Sequence, residues 1–114
     1  MSDAEIACAF GKKASKKLCK ELGVKLRGSY GFSFRVAASK SHSIYAACFN
    51  VPKKASYEQV MALIAHESCH LADRYFETLE ETEIGEEAYA YTVQFMSLCI
   101  MRKYRQWVLK HVKR

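Results

Sequence analysis

The sequence predicts one α+β domain over residues 1–114, with an N-terminal helix, a small antiparallel sheet and two C-terminal helices. Apolar residues recur at helical spacing near both ends of the chain, which predicts the helices. Between Gly28 and Pro52, two runs of aromatic and β-branched residues predict the strands. Half of the residues are hydrophobic and 26% are charged, so the composition excludes a disordered chain and is typical of a protein with one modest core.

The first helix is predicted within residues 4–22, where apolar positions are spaced by three and four residues. These positions are Ile6, Ala9, Phe10, Ala14, Leu18 and Leu22. Gly11 interrupts the pattern, so the segment forms one helix or two, and Gly23 supplies a stop. Strands are predicted at residues 31–38 and 43–51, as antiparallel neighbours joined by the polar loop between them.

Two further helices are predicted after the only proline, Pro52, which ends the second strand. Ser56 and Gln59 match a capping box, which predicts a helix over residues 56–76. A glutamate-rich segment follows, and a third helical pattern then covers residues 86–108.

The chain is basic, and its charges are unevenly distributed. The net charge is +6, lysines crowd the first predicted helix, and six basic residues with no acid occupy residues 102–114. Six of the twelve acidic residues lie within residues 77–87. Basic termini are a candidate surface for nucleic acid. Solvated helix faces are the favoured interpretation, because no arginine–aromatic recognition motif accompanies the lysines.

Features of membrane and secreted proteins are missing from the sequence. No apolar run approaches the ~20 residues of a membrane-spanning helix, and the first residues lack the order of a signal peptide. The five cysteines are odd in number and form no C-x-x-C pair, which is typical of a reducing compartment. We therefore expect a cytoplasmic protein with no membrane partner.

The residues His66-Glu67-Ser68-Cys69-His70 match the motif HExxH. On an α-helix, positions i and i+4 lie about 40° apart, so both imidazoles project from one face. Two such nitrogens can bind one zinc ion, and Glu67 can act as general base toward a water at the metal. An amphipathic helix with two surface histidines is the alternative. Residues 60–65 are apolar on every face, which favours a buried helix whose polar groups need partners.

The third metal ligand distinguishes the classes of HExxH protein. The metzincin spacing requires a third histidine at the position of Phe76. Two glutamates instead open the segment Glu-Glu-Ala-Tyr-Ala-Tyr at residues 86–91. With these motifs the chain resembles minimal gluzincin-like zinc metallopeptidase domains of the ImmA/IrrE and SprT-like kind, and small phage proteins in which an E-x-x-A-Y helix follows HExxH. The resemblance implies a zincin-like fold and Glu87 as the third ligand.

The helical phase of residues 86–108 also favours Glu87 over its neighbour. Glu87 begins a stripe that is predicted to pack inward, and its other members are Ala90, Tyr91, Gln94, Leu98 and Met101. Glu86 lies about 100° away and is predicted to face solvent. Glu83 and Glu80, in the preceding acidic segment, are further alternatives.

The predicted activity is hydrolysis of a peptide bond in a peptide or protein substrate, with Glu67 passing a proton from water to the leaving amine. Tyr91 and His42 are candidate oxyanion donors, although core packing and an exposed loop position are the favoured interpretations for them. Asp73 is a candidate acceptor for an imidazole N–H, or a surface ion-pair partner. By the resemblance, the strand at residues 43–49 would align the substrate by edge pairing.

A non-catalytic protein is the alternative class. It would bind a host factor or nucleic acid, as small phage proteins often do, and its metal site would be structural or vestigial. The basic C-terminal helix offers a surface for such a partner. Its stripe of Tyr104, Trp107, Val108 and His111 has helical spacing, a pattern more typical of a core or oligomer contact than of a nucleic-acid or membrane face.

Overall fold

The described chain, residues 4–79 and 85–112 of a computed structural model, folds into three strands and three helices. The elements are β1 (Ala4–Phe10), α1 (Lys12–Leu22), β2 (Gly31–Ala37), β3 (Ser43–Phe49), α2 (Tyr57–Thr78) and α3 (Glu86–Val112). The predicted α+β class is confirmed. The two predicted strands and the two C-terminal helices are present, with ends that differ by a few residues.

Strand β3 is the centre of the sheet, whose strand order is β1-β3-β2. It runs parallel to β1, with Ile6 opposite Tyr45, and antiparallel to β2, with Phe34 opposite Ala46. Its residues from Tyr45 to Phe49 are all buried. The antiparallel β2–β3 pair agrees with the prediction, and the sheet as a whole is mixed because β1 adds a parallel strand.

Residues 4–10 form a strand, so the helix predicted within residues 4–22 is wrong for this part. The segment is too short for its apolar spacing to distinguish helix from strand, and pairing with the distant strand β3 decides its conformation. Gly11, at φ 92°, has a backbone conformation that residues with a side chain rarely adopt, and α1 begins directly after it at Lys12. Gly23 is a left-handed C-cap at φ 70°, which confirms the predicted stop.

The core lies on both faces of the sheet. Helices α2 and α3 cover one face, where the buried residues are Phe10, Tyr45, Ala47, Phe49, Val60, Ile64, Leu71, Met96 and Ile100. Helix α1 covers the other face, where they are Ala9, Cys19, Phe32 and Cys48. Successive residues of β3 point to opposite faces, so this one strand contributes to both clusters.

Helix α2 begins at the predicted capping box. The N–H of Gln59 donates to Ser56 Oγ at 3.1 Å, and the N–H of Ser56 donates to Gln59 Oε1 at 2.7 Å. These two bonds satisfy backbone groups that the first helical turn leaves without partners. The capping box therefore fixes where the helix carrying HExxH begins.

Helix α3 packs with a different face from the predicted one. Met96 and Ile100 are fully buried, whereas Tyr91 is 65% exposed and Leu98 is 44% exposed. The inward stripe predicted to begin at Glu87 is therefore wrong. Apolar residues occur on more than one face of this helix, so the sequence contains two competing stripes, and packing against the core selects between them.

The C-terminal half of α3 packs against β1. Tyr104 and Trp107 lie against Phe10, with ring centroids 5.5 Å and 6.0 Å away, and Lys103 Nζ donates to the Ile6 carbonyl at 2.9 Å. These two members of the C-terminal stripe are thus part of the core. In the two described ranges, no helix combines the length and the hydropathy needed to cross a membrane.

Candidate metal centre

The two histidines of HExxH lie side by side on an exposed face of α2. His66 Nε2 and His70 Nε2 are 3.2 Å apart, and the two rings are close to perpendicular at 76°. Two imidazoles bound to one tetrahedral zinc, each at about 2.0–2.1 Å, would place their nitrogens roughly 3.3 Å apart. In the structure this contact is a hydrogen bond between the two rings, and its length is also compatible with two ligands of one zinc ion.

Glu67 lies beside this pair and is buried, with 3% of its surface exposed. It lines, together with His66 and His70, a pocket of about 220 Å³. The Glu67 side chain makes no hydrogen bond within the described residues. Its neighbour Ser68 donates from Oγ to the Ile64 carbonyl at 2.7 Å. Burial by the surrounding helix and sheet therefore holds a carboxylate in the pocket that the two imidazoles border.

The opposite wall of the pocket is formed by the start of β2, including Gly31 and Ser33. Strand β2 is an edge strand. The N–H of Asn50 donates to the Tyr30 carbonyl at 2.7 Å. By antiparallel alternation, the backbone groups of residues 32 and 34 point toward β3, while those of Gly31 and Ser33 point away from it. The edge of β2 along the pocket therefore has no partner strand, although its Gly31 and Ser33 carbonyls accept hydrogen bonds from Ser29 Oγ and Arg74 Nη2.

This arrangement corrects the strand predicted to align a substrate. Residues 43–49 form β3, which is paired on both sides by β1 and β2 and has no free edge. At the pocket, the strand whose edge can pair with a substrate is β2, which precedes β3 in the chain. The sequence patterns of the two strands do not show which of them is central, because that depends on the parallel pairing of β1.

Arg74 is a pocket residue that the sequence analysis did not identify. One turn beyond His70 on α2, it lines the same pocket, and its Nη2 donates to the Ser33 carbonyl at 3.3 Å. Its buried Nε has no hydrogen-bond partner within the described residues. The positions 66, 70 and 74 repeat at i, i+4 and i+8, a signal that could have placed this arginine on the histidine face.

The structure does not bring Glu87 to the two histidines. Glu87 and Glu86 are both exposed at the start of α3. Among the residues at 4–79 and 85–112, no three histidine, cysteine or acidic side chains form a group that could hold a metal ion. The alternatives Glu80 and Glu83 lie outside the described residues. His66 and His70 are thus adjacent and Glu67 lines the same pocket, without a third ligand from the described chain.

Asp73 lies near Tyr89 of α3, and none of the hydrogen bonds among the described residues joins it to an imidazole. Burial, followed by a hydrogen bond with Asp73, raises the pKa of the Tyr89 hydroxyl to about 12. The same hydroxyl lies 3.5 Å from the Cys69 carbonyl, to which it donates. The bond from Tyr89 to the Cys69 carbonyl therefore joins the start of α3 to α2.

The two candidate oxyanion donors do not line the pocket. Tyr91 is 65% exposed, so the favoured interpretation of core packing is wrong. His42 lies in the loop between β2 and β3, where its Nε2 is 3.4 Å from Glu5 Oε1. Arg74 does line the pocket and carries N–H donors that could take this role.

Comparison with known proteins found no relative of this chain that could help to interpret the pocket. No protein-family model, curated protein or solved structure matches the chain significantly. The interpretation of the pocket therefore depends on its own residues: two adjacent imidazoles, a buried carboxylate, an arginine and a free strand edge.

Proposed function

We propose that this chain is a zinc-dependent peptidase of the HExxH type, in which His66 and His70 bind the metal and Glu67 is the general base. The observation that carries the proposal is the 3.2 Å spacing of the two imidazole nitrogens in a pocket that also contains a buried glutamate. The resemblance of the sequence to minimal gluzincin-like domains supports the same roles for these residues.

The chemistry divides between the metal and Glu67. Zinc, when bound, would polarise both a water molecule and the carbonyl of the bond to be cleaved. The Glu67 carboxylate accepts a proton from that water and passes it to the leaving nitrogen. Glu67 is buried and lines the same pocket as both histidines, which supports its role in both transfers.

An extended peptide is the substrate that the pocket fits. The outward backbone groups of β2 can pair with an added strand, which would then run past the imidazoles. The Gly31 and Ser33 carbonyls already accept hydrogen bonds from Ser29 Oγ and Arg74 Nη2, so the outward N–H groups of Gly31 and Ser33 remain for pairing with a substrate. Arg74 lines the same pocket and offers a positively charged group toward a substrate carbonyl oxygen.

A third protein ligand is needed to complete a catalytic zinc site. The resemblance assigns it to Glu87, whose exposed side chain stands apart from the histidines in the structure. The proposal therefore separates into two parts that can be tested independently. The histidine pair must bind zinc, and a carboxylate must join it.

Metal analysis of the purified chain, prepared without chelator, tests the first part. We expect about one equivalent of zinc, or its uptake on addition, because two imidazoles at this spacing already favour the ion. Less than about a tenth of an equivalent, with no uptake, would contradict the proposal. Zinc binding without any peptide hydrolysis would favour the non-catalytic binding protein instead.

A further inference from the structure

A second pocket, of about 340 Å³, lies on the other side of the segment that leads into β2. We name it the α1 pocket, and the residues of interest that line it are Lys12, Ser15, Arg27, Ser29, Tyr30 and Asn50. It lies where the parallel strands β1 and β3 end and α1 begins. Open α/β sheets bind ligands at this end of parallel strands.

The first turn of α1 leaves positive charge without compensation. Its N-cap is Gly11, which makes no side-chain capping bond, and the first helical bond runs from the Ser15 N–H to the Gly11 carbonyl at 3.0 Å. The preceding N–H groups have no acceptor inside the helix. The turn contains Lys12 and Lys13 and no acidic residue, although the helix dipole favours anions at this end. A bound anion would reverse this unfavourable arrangement.

Ser15 provides an independent observation. Its side chain is buried, with 2% of the residue exposed, and its Oγ has no hydrogen-bond partner in the described part of the chain. The Cys48 thiol also lines the pocket and interacts with the Ser15 hydroxyl, but burial and then the neighbouring Cys19 raise its pKa to about 12, and a neutral thiol is only a weak hydrogen-bonding group. A buried hydroxyl without a strong hydrogen-bond partner destabilises the folded chain unless a ligand supplies the missing hydrogen bond.

We propose that the α1 pocket binds the phosphate group of a small phosphate monoester. The free N–H groups of the first turn and the Ser15 hydroxyl donate to the phosphate oxygens, and Lys12 and Arg27 supply the opposite charge. Tyr30, which is 64% exposed at the same pocket, presents an aromatic face to a planar group such as a nucleobase.

The α1 pocket is adjacent to the proposed zinc site but has lining residues of its own. Arg27, Ser29 and Phe32 border both pockets, whereas Lys12 and Ser15 border only the α1 pocket. Variants of these two residues therefore test phosphate binding without altering the histidine pair. Lys16 provides a matched control, because it removes one positive charge from the same helix without lining the pocket.

Calorimetric titration of the full chain with inorganic phosphate and with AMP, at constant ionic strength, tests the proposal. We expect Lys12→Ala and Ser15→Ala each to weaken phosphate binding about tenfold, because each loses a charged contact or a hydrogen bond to a charged group. Lys16→Ala should stay within about twofold of the unmodified chain. If AMP binds more tightly than phosphate and Tyr30→Ala removes this difference, the ligand is a phosphate monoester. Equal affinities identify free phosphate as the ligand.

Thermal unfolding separates loss of the site from loss of the fold. Without phosphate, Ser15→Ala should melt at the same temperature as the unmodified chain or higher, because it removes an unpaired buried hydroxyl. With phosphate at a fixed concentration, the unmodified chain and Lys16→Ala should gain more stability than Lys12→Ala and Ser15→Ala. The proposal is overturned if phosphate has no effect beyond that of chloride, or if either pocket variant binds phosphate as tightly as the unmodified chain.

Discussion

Leu63 on α2 packs directly against the backbone of Gly31 on β2. A Cβ atom on Gly31 would lie 3.0 Å from Leu63 Cδ1 and 3.2 Å from its Cγ. Glycine at this position therefore permits the close approach of the two elements that form the candidate metal pocket, one carrying the histidines and the other the free strand edge.

Substitution of this glycine should loosen the contact. Gly31→Ala should lower the free energy of unfolding by about 1 kcal/mol, because the leucine must move by a few tenths of an ångström in a packed interface. The melting temperature should fall by about 4 °C. Gly28→Ala is the control, since its Cβ would meet nothing within 4 Å. Equal melting temperatures for the two variants would show that Leu63 adapts without cost.

Glu67→Gln should separate chemistry from metal binding. The amide keeps the size of the side chain but cannot accept the proton, so peptide hydrolysis should fall by a factor of about 10²–10⁴. Zinc content should stay near that of the unmodified chain, because Glu67 is not a ligand in the proposal. Hydrolysis rate and zinc content, measured on one preparation, provide the check.

His66→Ala is the companion variant, and it should lose both zinc and hydrolysis. Its side chain is exposed, so the core of the protein should remain intact. If Glu67→Gln retains the biological activity of the chain while His66→Ala loses it, the metal is structural. The binding-protein class would then replace the peptidase.

Local signals in the sequence predicted the elements that depend on a few neighbouring residues. The capping box at Ser56, the left-handed Gly23 and the shared face of His66 and His70 are set by contacts within one or two helical turns. Strand β1 could not be predicted in this way, because its conformation depends on pairing with a strand about forty residues away.

The third ligand was uncertain for a related reason. Helix α3 carries apolar residues on more than one face, and the contact of Met96 with the core, rather than the sequence pattern, decides which face is buried. The sequence did not indicate a role for Arg74, because the role of an arginine on a helix depends on its contacts with other elements. Here it faces the edge of β2, and only the tertiary fold shows that.

Ionisation of the Tyr89 hydroxyl should lower the free energy of unfolding in alkaline solution. Burial, and then the hydrogen bond with Asp73, raise the pKa of Tyr89 from 10.0 to about 12. The folded chain thus holds this proton more tightly than the unfolded chain, so the contribution to stability is complete below pH 10.0 and is lost as the pH rises through 12. Tyr89→Phe should flatten this fall, measured as the free energy of unfolding in urea.

Tyr91→Phe is the matched control for that measurement. Tyr91 lies on the same helix and is 65% exposed, so its substitution should leave the pH profile between the two pKa values unchanged. A profile for Tyr89→Phe as steep as that of the unmodified chain would show that the contact with Asp73 does not form in solution.

Glu87→Ala tests whether the start of α3 supplies the third metal ligand. If it does, the metal joins α3 to α2, and its binding contributes to folding as well as to chemistry. Glu87→Ala should then lower both zinc affinity and melting temperature. Addition of chelator should lower the melting temperature of the unmodified chain but change that of Glu87→Ala very little.

Glu86→Ala is the neighbouring control, since it removes an equally exposed carboxylate from the same turn. Melting curves with and without chelator, recorded for each variant, distinguish the cases. Loss of zinc from Glu86→Ala alone would show that the helical phase of the ligand is wrong by one residue. Retention of zinc by both variants would assign the third ligand to another carboxylate, and Glu83→Ala, Glu80→Ala and Asp73→Ala would then be compared in the same assay.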